Sequence, residues 1–328
     1  MLTLADILAA RQIIQPYVWR TPLVSSAGLS QRSGAEVYLK LECWQRTGSF
    51  KLRGALVKLN SLTREEQVRG VVTASAGNHG LGVAYASQVL GQPAVTIFVP
   101  ENTPTSKLDH LAAFNCRIRR VGGQYDEAHA AAEVYVREHQ ATYVSAYDDP
   151  AVISGQATVG LEILEDLPTA DLLLVPVGGG GLIAGIALAA RAINPGIRII
   201  GLQPEASPAA FLSLRDGRPY ETYPAGPTIC DGLAGGFGRV PFEMAAALID
   251  QILVVSETDV RRSIAWLLAH EQLVVEGAGA IAVAPLLNAQ LEAAGKRVVA
   301  VLSGRNLDAS LLQDVLNTAG AADTSSAW

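Results

Sequence analysis

Between Leu172 and Ala190 the chain carries no charged residue, and Pro176 and four consecutive glycines, 178–181, break that stretch in its middle. An unbroken apolar run of this length would span a bilayer as a helix. The break instead divides it into LLLVPV and LIAGIALAA: a buried strand, a glycine turn and a helix. A strand that is apolar on both faces belongs inside a parallel sheet covered by helices, because only there are both faces out of water.

The same alternation recurs along the chain. Strands are expected at 37–39, 70–74, 94–99, 117–121, 171–177, 198–203, 252–255 and 297–302, where short β-branched runs stand between helical stretches. Thr3 with Asp6, and Ser256 with Asp259, have the spacing of a helix-capping box. The expected class is α/β with mostly parallel sheets. Polar loops, SLTREEQ and SAYDDP, flank several βα units. They suggest a large discontinuous domain, 1–63 and 149–328, with a small α/β domain, 70–142, inserted. The tail AGAADTSSAW reads as frayed.

Composition removes several function classes. With 49 % apolar and 17 % charged residues, the chain is a compact globular protein rather than a disordered one. A net charge of −6 gives nucleic acid or an anionic membrane no electrostatic reason to bind. Cys43, Cys116 and Cys230 are far apart and form no CxxC pair, which points to buried small hydrophobes in a reducing cytoplasm. The start, MLTLADILAARQIIQP, reads as a helix rather than a signal peptide. His110, His129, His139 and His270 lie on apparent helices without paired metal-ligand spacing.

Ligands of open α/β sheets gather beyond the carboxyl ends of the strands, and three unusual loops fall there. SAGNHG (75–80) offers polar groups and close backbone approach at a helix start, which suits a carboxylate, or is an ordinary glycine-rich turn. The glycines 178–181 expose successive N–H groups ahead of a helix, which suits a phosphate. They also fit GxGxxA, yet a dinucleotide fold wants an acid at the end of the next strand, where Gln203 stands. SGRN (303–306) closes the last strand, and its serine alone reads as a turn or cap residue.

The chain has five lysines, and Lys51 alone combines small neutral neighbours with a helix start. A cation is disfavoured at that end of a helix, so its pKa should fall. A lysine poised to lose its proton is a nucleophile toward an aldehyde; a solvated surface lysine is the plain alternative. Together with a phosphate nest and a carboxylate loop, it describes pyridoxal phosphate chemistry.

TGSFKLRGA (47–55), TASAGNHGLGVAYA (73–86), GQAT (155–158), VPVGGGGLIAG (175–185), EGAGA (276–280) and LSGRN (302–306) resemble the fold-type II pyridoxal phosphate enzymes. Among them they are most similar to the threonine/serine dehydratases and serine racemases. The resemblance implies two α/β domains with the cofactor in the cleft between them, a homodimer, and elimination from a β-hydroxy amino acid substrate to a 2-oxo acid and ammonia. It implies that Lys51 holds the cofactor as a Schiff base and then takes the α-proton. Phe50 would lie against the ring, Asn78 would bond the ring hydroxyl, and Ser303 would face the ring nitrogen. Gly178, Gly179, Gly180, Gly181 and Leu182 would hold the phosphate. Ser75, Ala76, Gly77, Asn78 and His79 would surround the substrate carboxylate. A racemase or β-replacement enzyme on the same fold is the nearest alternative, and a nicotinamide-dependent oxidoreductase a distant one.

Three departures from the family pattern bear on function. Ala76 stands where serine racemases carry a second serine, which favours elimination over racemisation. Gln203 and Ala209 replace the acids of metal-dependent relatives, so no metal is expected. Arg305 replaces a glycine and contacts a substrate's distal acid, meets a neighbouring subunit or points to solvent, the last being the usual place of an arginine. Glu276 either tunes the site or caps the EGAGA helix.

Overall fold

The computed structural model describes residues 2–322. Ten strands form two sheets: β1 (Leu23–Ser25), β2 (Glu36–Lys40), β3 (Val71–Ala74), β4 (Val95–Val99), β5 (Cys116–Arg120), β6 (Thr142–Tyr143), β7 (Leu172–Pro176), β8 (Arg198–Pro204), β9 (Gln251–Val255) and β10 (Arg297–Val301). The larger sheet has the order β1-β2-β10-β7-β8-β9 and the smaller the order β5-β4-β3-β6. All pairings are parallel except β1 with β2. β1 and β6 are the two strands with no sequence signal, being three and two residues long, too short to display a period.

Burial follows the parallel arrangement. Every residue of β3, β4 and β7 is buried, as required of strands covered by helices on both faces. β5 is the exception: Arg117, Arg119 and Arg120 keep this edge strand polar, which discourages pairing with another chain. Both predicted helix starts form. Thr3 and Asp6 make a reciprocal capping box, and Ser256 Oγ accepts the Asp259 N–H at 3.1 Å.

The helix Lys51–Asn60 does not keep to one sheet's territory. Its Leu52, Ala55, Leu56 and Leu59 share a core with Val71, Val83, Val95 and Ile97 around the smaller sheet. Beneath the same helix lies a buried ionic cluster. Arg53 donates to Glu42 at 2.8 Å and 2.9 Å and to Glu162 at 2.8 Å, while Lys40 donates to Glu162 at 2.6 Å. Two cations and two carboxylates therefore cancel inside the protein, tying this helix to β2 and to the helix Pro150–Asp166.

Each sheet has a topological switch point. In the larger sheet the order turns back between β10 and β7; in the smaller, between β3 and β6. These crevices are where loops diverge and leave room for a ligand. The loops that follow β7, β10 and β3 carry the glycine run, SGRN and SAGNHG. Of the tail expected to fray, residues 319–322 finish the helix Ala309–Ala322, and 323–328 lie outside the described residues. Among the described residues, no helix is long and apolar enough to cross a membrane.

Candidate active site

The loop before Lys51 is laced to the loop after β10. Ser49 bridges Gly304, Phe50 N–H donates to the Ser303 carbonyl at 3.2 Å, and Arg305 N–H donates to Gly48 O at 2.8 Å. This lacing fixes Lys51 as the first residue of its helix, capped by no side chain at Phe50. Its amine lies 5.2 Å from the centre of the Phe50 ring and donates to the Ala146 carbonyl at 3.1 Å. Burial lowers its pKa from 10.5 to about 8, with Glu276 opposing the shift. Removal from water is thus the main cause, where the sequence pointed to the helix dipole.

The next residue along, Tyr147, joins the lysine to the glycine run. A methyl group at position 179 would stand 2.2 Å from the Tyr147 ring, and one at 181 would stand 2.9 Å from its Cα. The amine and the glycine run therefore contact two consecutive residues, Ala146 and Tyr147. Gly180 has φ +97°, a left-handed conformation that favours glycine, and caps the helix Gly181–Ile193. The first N–H groups of that helix, from Gly181 and Leu182, have no acceptor within it. Phe50 packs in the same core cluster as Val175, Val177 and Leu182.

On the side of the smaller sheet, Gly77 and Asn78 begin the helix Asn78–Val89, again without a side-chain cap. Ser75 Oγ accepts the Gly77 N–H at 3.2 Å, and space around Gly77 is open for 4 Å. Ala76 is half-buried against the smaller sheet's core. His79 takes a different place from its neighbours. Its ring is buried and Nε2 donates to the Val144 carbonyl at 2.9 Å, so the ring turns into the fold, where Nδ1 is buried without a partner. Burial, and after it the nearby Lys51, lowers its pKa to about 3 and keeps it neutral. Ser303 is buried, and its hydroxyl donates to Ala278 O at 3.3 Å.

Three contributors were not assigned by sequence. Glu276 stands at the cap position of its helix yet makes no cap; its carboxylate accepts from Asn78 Nδ2 at 2.6 Å. Burial first, then repulsion from Asp231, raise its pKa to about 7. Asn306 donates to Asn78 Oδ1 at 2.5 Å and to Thr47 O at 2.9 Å. Tyr147, the third, carries no motif. Glu276 and Asn306 lie inside motifs that the sequence singled out, so a search for polar residues beside them would have reached both.

Gln203 serves a structural end: Oε1 accepts the N–H groups of Ala210 and Phe211 at 2.9 Å and 3.0 Å and so caps the helix Ala209–Asp216. Arg305 is exposed. Cys43 and Cys230 are buried, whereas Cys116 is only half-buried.

Pyridoxal phosphate fits these residues. A side chain at any of positions 178–181 would collide with Leu233, Tyr147 or Phe237, so glycine alone lets this backbone lie as it does, and successive N–H groups ahead of a helix suit a phosphate. A partly deprotonated amine, one free amide N–H on Asn78 and the neutral Ser303 hydroxyl are the polar groups that the rest of the molecule would meet.

Comparison with known proteins agrees. The family model described as "Pyridoxal-phosphate dependent enzyme" matches residues 14–304. An L-threonine ammonia-lyase of Thermotoga maritima is 43 % identical over 97 % of this chain and 79 % of its own length. The processed form of threonine deaminase isoform 2 from Solanum lycopersicum superposes with a TM-score of 0.91 at 35 % identity, covering 97 % of this chain and 87 % of that one. Maize serine racemase superposes with a TM-score of 0.89 at 33 % identity, covering 98 % and 99 %. On the fold, the site and these matches together, the chain belongs to the pyridoxal-phosphate dependent enzymes.

Proposed function

We propose that the protein is an ammonia-lyase that eliminates water from L-threonine or L-serine and releases a 2-oxo acid and ammonia. The observation that carries this reading is the Lys51 amine, held 3.1 Å from Ala146 O while the adjoining Tyr147 packs on the glycine cradle. That arrangement supports reading the lysine as the nucleophile, and the glycine run as the anion site, for one small molecule.

When bound, the cofactor supplies the aldehyde that an amine can attack and an electron sink for charge at the substrate's α-carbon. The chain supplies the remainder. N–H groups at Gly178 to Leu182 hold the phosphate, and the helix start at Ser75–His79 holds the substrate carboxylate. Lys51, whose buried amine gives up its proton more readily than an exposed lysine, takes the α-proton. Ser303 offers a hydroxyl in place of a carboxylate, so it does not keep a ring nitrogen protonated. A ring held by this neutral hydroxyl would be a weaker electron sink than one held by a carboxylate, which suits loss of a β-hydroxyl.

Elimination is preferred to racemisation because Ala76 presents only a methyl group where a second acid would be needed. A homodimer in the cytoplasm completes the reading, supported by the family resemblance. The decisive test is release of 2-oxo acid and ammonia across a panel of β-hydroxy amino acids. Interconversion of L- and D-serine faster than pyruvate release would overturn it. Light scattering on the cofactor-loaded protein tests the dimer, and a monomer at working concentration would remove it.

A further inference from the structure

We propose that Glu276 and Asn306 are positioning residues that lock the side-chain amide of Asn78, leaving a single N–H of that amide for the cofactor. The proposal rests on the reading of the site given above.

A primary amide has one acceptor oxygen and two donor hydrogens, and only its partners decide which way round it sits. Here the partners leave no choice. Asn78 Nδ2 donates to Glu276 Oε1 at 2.6 Å, while Asn306 Nδ2 donates to Asn78 Oδ1 at 2.5 Å. Turning the amide over would set its NH2 group against the NH2 group of Asn306 whatever the protonation of Glu276, and against the ionised carboxylate it would also set oxygen on oxygen. Asn306 cannot turn instead, because its second N–H is committed to Thr47 O at 2.9 Å. With one Nδ2 hydrogen used and Oδ1 occupied, one N–H remains for a ligand oxygen.

Glu276 is held to this task. Its N–H donates to Gly304 O at 3.1 Å, and a methyl group at position 304 would stand 2.1 Å from its Oε1 and 3.2 Å from Asn78 Nδ2. Only a glycine there lets the backbone pass so close to the pair. The carboxylate forgoes the capping bond that its own position offers. Asn78 begins a helix of the smaller sheet, while Glu276 and Asn306 belong to loops of the larger. The orientation of one amide thus depends on both halves of the cleft.

A double-mutant cycle on the cofactor-loaded enzyme tests this. Glu276→Ala, Asn306→Ala and Asn78→Ala are compared singly and in pairs, with Glu276→Gln as the conservative variant. Two readouts are taken: kcat with KM, and the pH midpoint of the visible absorption band. Each single alanine variant should lower kcat by about tenfold with a smaller change in KM, and shift the midpoint in the direction that Asn78→Ala shifts it. In the Asn78→Ala background, Glu276→Ala should add nothing. Glu276→Gln keeps an acceptor oxygen and should recover most of the loss. Wild-type midpoints in Glu276→Ala and Asn306→Ala, or effects that multiply with Asn78→Ala, would overturn the proposal. Should Glu276→Ala not fold by circular dichroism, Asn306→Ala and Glu276→Gln decide. A wild-type protein that neither turns yellow with pyridoxal phosphate nor forms 2-oxo acid refutes the reading of the site itself; a competent wild type with unaffected variants refutes only the positioning.

Discussion

The amine of Lys51 and the carbonyl oxygen of Ala146 lie 3.1 Å apart, and this hydrogen bond parks the lysine beside the residue that roofs the glycine cradle. A carbonyl accepts from both the charged and the neutral amine, so the bond orients Lys51 without forcing it to stay protonated. If Lys51 is the nucleophile, Lys51→Ala should leave no cofactor attached after borohydride treatment and should lower elimination by roughly 10³-fold or more. Mass spectrometry of the reduced protein reads the first outcome. A cofactor adduct on another lysine at full turnover would defeat the assignment.

Cofactor capture should depend on pH in a defined direction. A depressed amine pKa of about 8 leaves about a tenth of Lys51 neutral at pH 7, against roughly one part in 3,000 for an ordinary lysine. Stopped-flow mixing of cofactor-free protein with pyridoxal phosphate should show a capture rate that rises between pH 6 and 8 and levels off above. A rate still climbing toward pH 10 would mean that the amine is solvated.

Glu276 makes the opposite demand on stability. Its folded pKa is raised from 4.5 to about 7, so the protonated acid is the form the fold prefers. That contribution is fully present below about 4.5, the unfolded value, and is lost as pH rises through about 7. In the cofactor-free protein, Glu276→Gln should therefore raise Tm at pH 8 and change it little at pH 4.5. Equal effects at both pH values would show that the carboxylate is not ionising inside the fold.

Arg53 tests how the Lys51 helix is held. Replacing it with methionine leaves Glu162 with Lys40 and buried Glu42 with only the Thr21 hydroxyl, and should cost about 3–5 kcal/mol in urea unfolding. Arg53→Lys should recover little, since one ammonium cannot serve both carboxylates in the fork geometry that the guanidinium uses. A loss below about 1 kcal/mol for Arg53→Met would mean that the cluster is solvated or compensated.

Ala76 tests the preference for elimination. Ala76→Ser restores a hydroxyl at a half-buried position of the carboxylate loop. Chiral chromatography should then detect D-serine formed from L-serine, while pyruvate release continues. Unchanged absence of D-serine would show that the second face of the substrate is controlled elsewhere.

Much of this site could be read from the chain because its motifs combine backbone demands with chemistry. A glycine run after an apolar strand admits few conformations, and TGSFK before a helix isolates one lysine among five. The residues that escaped were those whose role is a contact with something distant in sequence. Asn78 is 198 positions from Glu276 and 228 from Asn306. Arg53, Glu42, Glu162 and Lys40 come from four separate elements and bear no local pattern. His79 looked like its neighbours in SAGNHG, and only the packed fold turned its ring toward Val144.

By itself the sequence determined the α/β class, the positions of eight of the ten described strands and the cofactor chemistry, because periodicity, glycine placement and the nucleophile's residue type act over a few neighbouring positions. Tertiary structure decided which groups share one space and in what state: that burial rather than a helix dipole lowers Lys51, that Glu276 bonds Asn78 instead of capping its helix, and that β10 and β7 meet at the switch point. Desolvation and hydrogen-bond partnership are properties of what surrounds a residue, and those surroundings exist only once distant segments have packed.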